Sequence, residues 1–371
     1  MKENLCAAPW LSVYVDPTGR IDNCCVGKNN LGHVEQDHDL ERVLTQGKNF
    51  EVQTAMLNNQ RLPGCSWCHG RDHNLQKMFW SKFPDRDDAL YQRSGQFDLR
   101  YLDLRWRNLC NYACIYCTPE LSSAWAEELN QPVKIENAAR RQLQSYILDN
   151  LHSVEEVYLA GGEPLLMKEH QPFLEKLLEI RPQCQITVNT NLSNIKNNRI
   201  FDLLTQFDRC TWQISVDDQD SRYEYIRYPG SWKEFWQNLE TLTDRANSNI
   251  IGFNMVYMNL NAVSVWDLVD RLISSGYSTS YMSLGLYNNG STDGPWDVKY
   301  LPREYQQQAL QRANDKKYHQ LIGYKNVRDY LEDPKKDAAQ ANSLWKELLI
   351  LDRRRGLDSR KIFPDIYKYH K

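Results

Sequence analysis

Three cysteines lie within eight positions in the stretch NLCNYACIYCTPE, residues 108–120. They are Cys110, Cys114 and Cys117, in the spacing CxxxCxxC. Cysteine thiolates bind zinc and iron–sulfur clusters, and such sites normally take four protein ligands. The spacing therefore predicts a metal site with one coordination position left for another ligand. Zinc binding and a purely structural role for the three cysteines are the alternatives.

Further residues suited to ligand binding follow apolar runs later in the chain. In AGGEPLL (160–166), glycines allow close approach of the backbone to a ligand, and a carboxylate there can receive an ammonium group. Taken alone, GGEP could be an ordinary strand-to-helix turn with Glu163 in the first helical turn. Other polar residues occur in VNTNLS (188–193), in QISVDD (213–218) and in YIRYPGSWKEFWQNLETL (225–242).

The elements that must position these residues alternate regularly from Leu99 onward. The apolar runs, which we predict as strands, are 99–106, 154–162, 185–190, 211–217, 250–259 and 281–287. Helical periodicity occurs at 137–150, 168–180, 194–206, 231–246 and 262–275. This alternation indicates βαβ units and an α/β fold with a parallel sheet. Six strands and five helices predict a partial, open (β/α)6 barrel. It is favoured over a doubly wound sheet because loops that could do chemistry follow nearly every strand.

The cysteine loop resembles that of the radical S-adenosylmethionine (SAM) superfamily, which has an aromatic residue before the third cysteine, here Tyr116. The later motifs occur in the family's order, and the resemblance covers about residues 97–290. It implies a 4Fe–4S cluster bound by the three cysteines, with SAM (S-adenosyl-L-methionine) on the fourth iron. It also implies roles for the later residues. Gly161, Gly162 and Glu163 would meet the amino group of SAM, Asn191 its ribose and Arg227 its carboxylate, while Ser215 and Asp217 would face the same opening.

The resemblance also implies the reaction. An electron, from a donor such as flavodoxin or ferredoxin, would cleave SAM to a 5′-deoxyadenosyl radical that removes a hydrogen atom from a substrate. The substrate is expected to be a peptide or another small molecule, and the outcome oxidation, crosslinking or epimerisation. The alternative is a non-catalytic protein that holds zinc or an iron–sulfur cluster structurally.

A second cysteine set precedes the predicted barrel. Cys6, Cys24, Cys65 and Cys68 can converge on one four-coordinate metal, with Gly19 supplying a hairpin turn between the first two. A zinc ribbon fits these residue types. The pattern also resembles the start of the SPASM/twitch domains, which hold an auxiliary 4Fe–4S cluster but usually follow the barrel. The cysteine count favours the single-cluster twitch form.

The remaining cysteines are interpreted more simply. Cys25 is expected to be a spare thiol, with replacement of Cys24 as a ligand or donation of a hydrogen atom or electron as alternatives. Cys184 and Cys210 border predicted strands and are expected to be small buried apolar residues. His69, beside Cys68, is an alternative ligand.

Composition places the chain among ordinary globular proteins. Of 371 residues, 41% are hydrophobic and 25% charged, with a formal net charge of −3. We find no clear nucleic-acid signature and no run approaching the roughly 18 apolar residues of a membrane-spanning helix, and we expect a cytoplasmic protein. Ten cysteines without a secretion signal favour metal or redox chemistry. The predicted domains are a twitch-like domain (1–70), a linker (71–96), the barrel (97–290) and a helical C-terminal extension (291–371).

Overall fold

The computed structural model describes residues 3–69, 74–85, 88–131, 137–246, 249–287, 294–332 and 341–369. The chain forms two units. The first comprises Met1–Asn111, Thr118–Asn189 and Lys196–Cys210, and the second comprises Tyr112–Cys117, Thr190–Ile195 and Thr211–Lys371. In the described part of the chain, no helix combines the length and apolarity needed to cross a membrane.

The first unit contains six strands and eight α-helices among its described residues. The strands are β1 (Ser12–Val15), β2 (Arg20–Asp22), β3 (Gly32–His33), β4 (Tyr101–Leu104), β5 (Glu156–Leu159) and β6 (Gln185–Thr190). The helices are α1 (Ala8–Leu11), α2 (Leu40–Thr45), α3 (Gly47–Leu57), α4 (Leu75–Lys82), α5 (Ser123–Glu128), α6 (Asn137–Asp149), α7 (His170–Ile180) and α8 (Arg199–Leu204).

The strands of the first unit lie in the order β3-β2-β1-β4-β5-β6. The pairs β1–β4, β4–β5 and β5–β6 are parallel, whereas β2 pairs antiparallel with both β1 and β3. Gly19, at φ +96°, lies in the turn between β1 and β2, in the hairpin position predicted for it. Strands from the first 70 residues therefore extend the sheet that begins the predicted barrel.

The two faces of this sheet differ in polarity. Side chains alternate along a strand, so Leu102 and Val157, paired in register, share one face and are fully buried. The opposite face carries a row formed by Tyr14, Asp103 and Tyr158, which are cross-strand neighbours on β1, β4 and β5. One face thus supplies apolar core, and the other presents polar and aromatic groups.

The second unit contains three parallel strands in the order β7-β8-β9. They are β7 (Cys210–Ser215), β8 (Ile250–Tyr257) and β9 (Met282–Leu286). Its described helices are α9 (Asp220–Ile226), α10 (Trp232–Arg245), α11 (Val265–Ser274), α12 (Arg303–Ala313), α13 (Tyr324–Glu332), α14 (Ala341–Arg355), α15 (Ser359–Ile362) and α16 (Pro364–Tyr367). Helix α10 shows why such segments are helical: the Ser231 side chain caps its first turn, and Phe235, Leu239 and Leu242 form a buried stripe.

The six predicted barrel strands and their intervening helices occur at the expected places. Helix α8 is shorter than its predicted range of 194–206 because residues before it form a loop, with Asn197 at φ +54°. Asn198 then starts the helix by accepting hydrogen bonds from the backbone N–H groups of Ile200 and Phe201.

Candidate active site

The cysteine loop is held in the second unit by backbone hydrogen bonds. The Ala113 N–H donates to the Tyr228 carbonyl oxygen at 2.7 Å, and the Ile115 N–H donates to that of Ile226 at 2.9 Å. The loop therefore lies along the end of helix α9 and the residues directly after it. Cys114, between these two bonds, is only 7% exposed.

A buried ion pair lies beside the loop. The Arg227 Nη1 atom is 2.9 Å from Oδ2 of Asp217, and the Tyr116 hydroxyl donates to the same oxygen at 2.7 Å. Arg227 also donates to the Tyr116 hydroxyl. The other Asp217 oxygen accepts the Val256 N–H at 2.7 Å. Asp217 is 0% exposed and Arg227 5%, so the charges compensate each other away from water.

The electrostatics of this group extend to the cysteine. Burial raises the pKa of the Cys114 thiol, and the Arg227 guanidinium partly offsets this. Burial would lower the pKa of Arg227, but Cys114, Tyr116 and Asp217 outweigh it and raise that pKa. Nη1 of Arg227 thus bonds to both Asp217 and Tyr116. The contact of Arg227 with the SAM carboxylate remains a prediction.

The GGE turn and Cys110 meet in the first unit. The Glu163 N–H donates to the Leu109 carbonyl oxygen at 2.7 Å. Gly162 has φ +50°, and a Cβ added there would lie 2.2 Å from that oxygen, so only glycine fits. The Ser123 hydroxyl is 3.0 Å from both the backbone nitrogen and the carbonyl oxygen of Cys110. The turn therefore packs directly against the start of the cysteine loop.

The Glu163 carboxylate is fully buried and accepts the Leu165 N–H at 3.1 Å. It thus caps a short 3₁₀ turn, which is the ordinary structural role considered for it. Gly161, at φ +77°, lies against Arg105, whose side chain would be 2.6 Å from an added Cβ. The structure leaves the predicted contact between Glu163 and the amino group of SAM as a prediction.

Two more predicted site residues, Asn191 and Ser215, lie at the ends of β6 and β7. Asn191 follows β6, is buried, and accepts the Ser193 N–H through its side chain at 2.9 Å. Ser215 is the last residue of β7 and pairs in register with Asn254 of β8. Both occupy the strand ends expected from the sequence, while their contacts with SAM stay predictions.

The four N-terminal cysteines line one cavity in the first unit. The cavity lining includes Cys6, Cys24, Cys65 and Cys68, together with Asn29, whose side-chain nitrogen lies 3.6 Å from the Cys65 sulfur. Burial raises the pKa of Cys6 to about 12. Four thiols around one cavity fit a four-cysteine ligand set. Within the described residues, however, no three His, Cys, Asp or Glu side chains already converge as a metal-binding group.

The other candidate ligands differ in whether they line this cavity. Cys25 is not among its lining residues; burial and then Asp103 raise the pKa of its thiol to about 11. His69 contributes to the lining, but its Nδ1 accepts a hydrogen bond from Arg61 at 2.7 Å. Cys184 and Cys210 are each 1% exposed, which confirms the prediction that they are buried. The geometry thus favours Cys24 over Cys25 as a ligand.

Residues 106–272 match the family model of the radical SAM superfamily. This stretch carries the radical SAM domain that the sequence predicted. The predicted family and the α/β, partial-barrel fold class are thereby confirmed. The N-terminal twitch-like domain and the auxiliary cluster remain predictions.

Curated relatives cover parts of the chain. It is 25% identical over 187 residues to molybdenum cofactor biosynthesis protein 1 of Dictyostelium discoideum, which covers 50% of this chain and 29% of that protein. It is 25% identical over 184 residues to the GTP 3′,8-cyclase of Hydrogenovibrio crunogenus, covering 49% of this chain and 54% of the relative. The chain thus spans between about a quarter and about half of the length of the curated relatives it matches.

Solved structures resemble the chain distantly. Histidine-tagged anSMEcpe with bound AdoMet is 16% identical, with a TM-score of 0.44 and 61% of each chain covered. SuiB of Streptococcus suis bound to its precursor peptide SuiA is 15% identical, with a TM-score of 0.39, covering 88% of this chain and 64% of that one.

Sequence reasoning missed the residues that support the cysteine loop from outside its motif. Ser123 holds Cys110, and Trp296 donates from its indole nitrogen to the Ile115 carbonyl oxygen at 3.0 Å. The serine pair 122–123 at the start of α5 carries a helix-capping signal that could have drawn attention to it. No local pattern marks Trp296, which is 181 residues from its partner.

Proposed function

We propose that this chain is a radical SAM enzyme that cleaves SAM reductively and removes a hydrogen atom from a peptide or another small molecule. Cys110, Cys114 and Cys117 would hold the 4Fe–4S cluster, and SAM would take the remaining coordination position. When bound, cluster and SAM supply one electron and a 5′-deoxyadenosyl radical. A flavodoxin or ferredoxin is the proposed electron source.

One observation carries this proposal: the loop with three cysteines is built into a rigid polar setting. The GGE turn donates to the residue before Cys110, and the buried pair of Asp217 and Arg227 holds Tyr116 next to Cys114. These contacts support the backbone directly before Cys110 in the first unit and the residues around Cys114 in the second unit. The match of residues 106–272 to the radical SAM family supports the same chemistry.

The polar face of the first unit is the proposed substrate surface. Arg105 pairs with Asp103 at 3.1 Å and lies over the Tyr14 ring at 5.0 Å, beside the GGE turn at Gly161. The Arg105 guanidinium pairs with Asp103 through Nε and Nη2, and its further N–H groups suit a carbonyl acceptor such as that of a peptide. The GTP 3′,8-cyclase relatives favour a nucleotide instead, although they match only part of this chain.

We further propose that Cys6, Cys24, Cys65 and Cys68 hold an auxiliary 4Fe–4S cluster. The support is their common cavity. Cys25, adjacent to this set, is close enough to Asp103 and Arg105 for their charges to act on its thiol. An auxiliary cluster would therefore lie near the proposed substrate surface, where it could accept the electron left on a substrate radical and so complete a two-electron oxidation.

The test is formation of 5′-deoxyadenosine. Anaerobically reconstituted protein, incubated with SAM and dithionite, is expected to yield 5′-deoxyadenosine detectable by mass spectrometry, with iron and sulfide bound. Cys114→Ala should abolish the product, whereas Cys184→Ala, a buried cysteine outside both sets, should leave it unchanged. Stoichiometric zinc, no iron and no product from the wild type would instead establish the non-catalytic alternative.

A further inference from the structure

The C-terminal region of the second unit reaches back to the cysteine loop. The Arg355 Nη2 atom donates to the Ala113 carbonyl oxygen at 2.9 Å, and the Trp296 indole donates to that of Ile115 at 3.0 Å. The carbonyl groups on both sides of Cys114 thus receive donors from distant side chains. Neither donor belongs to a motif found in the sequence, and both lie outside the matched residues 106–272.

Arg355 is placed by the helix that it ends. Leu344, Leu348 and Leu351 are at most 1% exposed and form the buried stripe of α14. Gly356, at φ +65°, follows Arg355 directly and lets the chain leave the helix there. The position of the guanidinium group is therefore set by an anchored helix end.

Two further contacts fix the direction of this side chain. The Arg355 guanidinium lies 4.7 Å from the centroid of the Tyr228 ring, and the Tyr228 carbonyl oxygen accepts the Ala113 N–H. One turn earlier in α14, Asp352 accepts the Tyr225 hydroxyl at 3.0 Å. The helix end is thus bound to the same segment, 225–228, that lines the cysteine loop.

The guanidinium also acts on the cysteine electrostatically. Its Nη2 atom donates to the carbonyl oxygen of Ala113, the residue before Cys114, so its positive charge lies close to this cluster ligand. A cation near a cluster ligand stabilises the added negative charge of the reduced cluster, as it stabilises a thiolate.

We propose that Arg355 is a positioning residue that raises the reduction potential of the cluster bound by the cysteine loop and fixes the loop around it. The proposal rests on the proposed function only in that Cys110, Cys114 and Cys117 hold an iron–sulfur cluster. Through Arg355, the helical C-terminal region would thus influence how readily the cluster accepts an electron.

The test is an EPR-monitored redox titration of the anaerobically reconstituted full chain, using the signal that Cys114→Ala eliminates. Arg355→Gln keeps a hydrogen-bond donor but removes the charge. It is expected to lower the reduced-to-oxidised ratio at a fixed potential about tenfold, a midpoint shift of about −59 mV for one electron. Arg355→Lys should recover most of this shift. Arg353→Gln, an exposed change of equal charge on the same helix, should leave the midpoint unchanged.

A midpoint in Arg355→Gln equal to that of the wild type, with full iron content, would overturn the proposal. If Arg355→Gln does not fold, Tyr228→Leu decides: it removes the ring that holds the guanidinium and should shift the midpoint in the same direction. An unchanged midpoint in that variant also refutes the proposal. A wild type with a reducible cluster but no 5′-deoxyadenosine contradicts only the proposed function, because the midpoint comparison needs no SAM cleavage.

Discussion

Replacing Asp217 with asparagine tests whether the buried ion pair stabilises the second unit as its geometry implies. The substitution leaves the Arg227 guanidinium, 5% exposed, without its carboxylate partner. Removing one partner of a buried pair typically costs about 3–5 kcal/mol, since an uncompensated charge stays buried. The new amide side chain would keep an oxygen to accept the Val256 N–H, so most of the loss should come from charge rather than from the hydrogen bond.

The assay must isolate the second unit, because two units need not unfold together. Urea denaturation read by hydrogen–deuterium exchange in peptides covering residues 211–230 does this. Glu332→Gln is the matched control: its pair with Arg328 has the same 2.9 Å distance but is exposed, so no measurable loss is expected. Tyr116→Phe, which removes one donor to Asp217, should cost about 1–3 kcal/mol.

The double variant Asp217→Leu/Arg227→Met gives the sharpest contrast. Since it removes both charges, it should be less destabilised than Asp217→Asn alone, because a buried pair replaced by apolar residues is often nearly neutral. A loss below about 1 kcal/mol in Asp217→Asn, or a double variant at least as unstable as that single one, would refute the reasoning.

Three further outcomes are expected. Gly162→Ala should abolish 5′-deoxyadenosine formation, because an added Cβ would lie 2.2 Å from a backbone oxygen. The control is Gly47→Ala, at a similar φ of +53° with no atom within 4 Å of the added Cβ. It should lower the free energy of unfolding by about 1–2 kcal/mol and leave 5′-deoxyadenosine formation unchanged. Iron analysis of Cys65→Ala should show a drop from about eight to about four atoms per chain, with SAM cleavage retained, whereas Cys184→Ala should change neither. Burial raises the pKa of Asp218 to about 7, so the folded state keeps a proton that the unfolded chain loses near pH 4. The free energy of unfolding should therefore fall between about pH 4 and 7, and Asp218→Asn should flatten that slope in urea titrations; an unchanged slope contradicts the assignment.

Local sequence patterns predicted the repeating part of the fold well. The alternation of apolar runs and helical stretches placed strands such as β6 and β7 almost to the residue, since each buries a period-two pattern. The hairpin turn at Gly19 was predicted, but strands β1 to β3 and their place in the sheet were not. They contain four, three and two residues, too few for a periodic signal, and nothing local in the sequence shows that β1 pairs with β4.

The candidate site shows the same division. The cysteine spacing and the GGE turn are local patterns, and both were visible in the sequence. The contacts that shape the site are not local: the hydroxyl of Tyr116 reaches Asp217 across 101 positions and Arg355 reaches Ala113 across 242. Sequence spacing carries no information about such long-range contacts, because they form only when the strands and helix α14 pack in the folded chain.

Parallel pairing of β1 with β4 has a consequence for how this chain can be divided. Four residues of β1, Ser12–Val15, cover one side of β4, Tyr101–Leu104. A truncated protein that begins near residue 97 would present that side of β4 as a bare, largely apolar edge. Such an edge recruits strands from other molecules. By covering this edge, the N-terminal segment protects β4 from pairing with other molecules. We therefore expect that truncation or recombination near residue 97 yields an aggregating protein rather than a separately folded barrel.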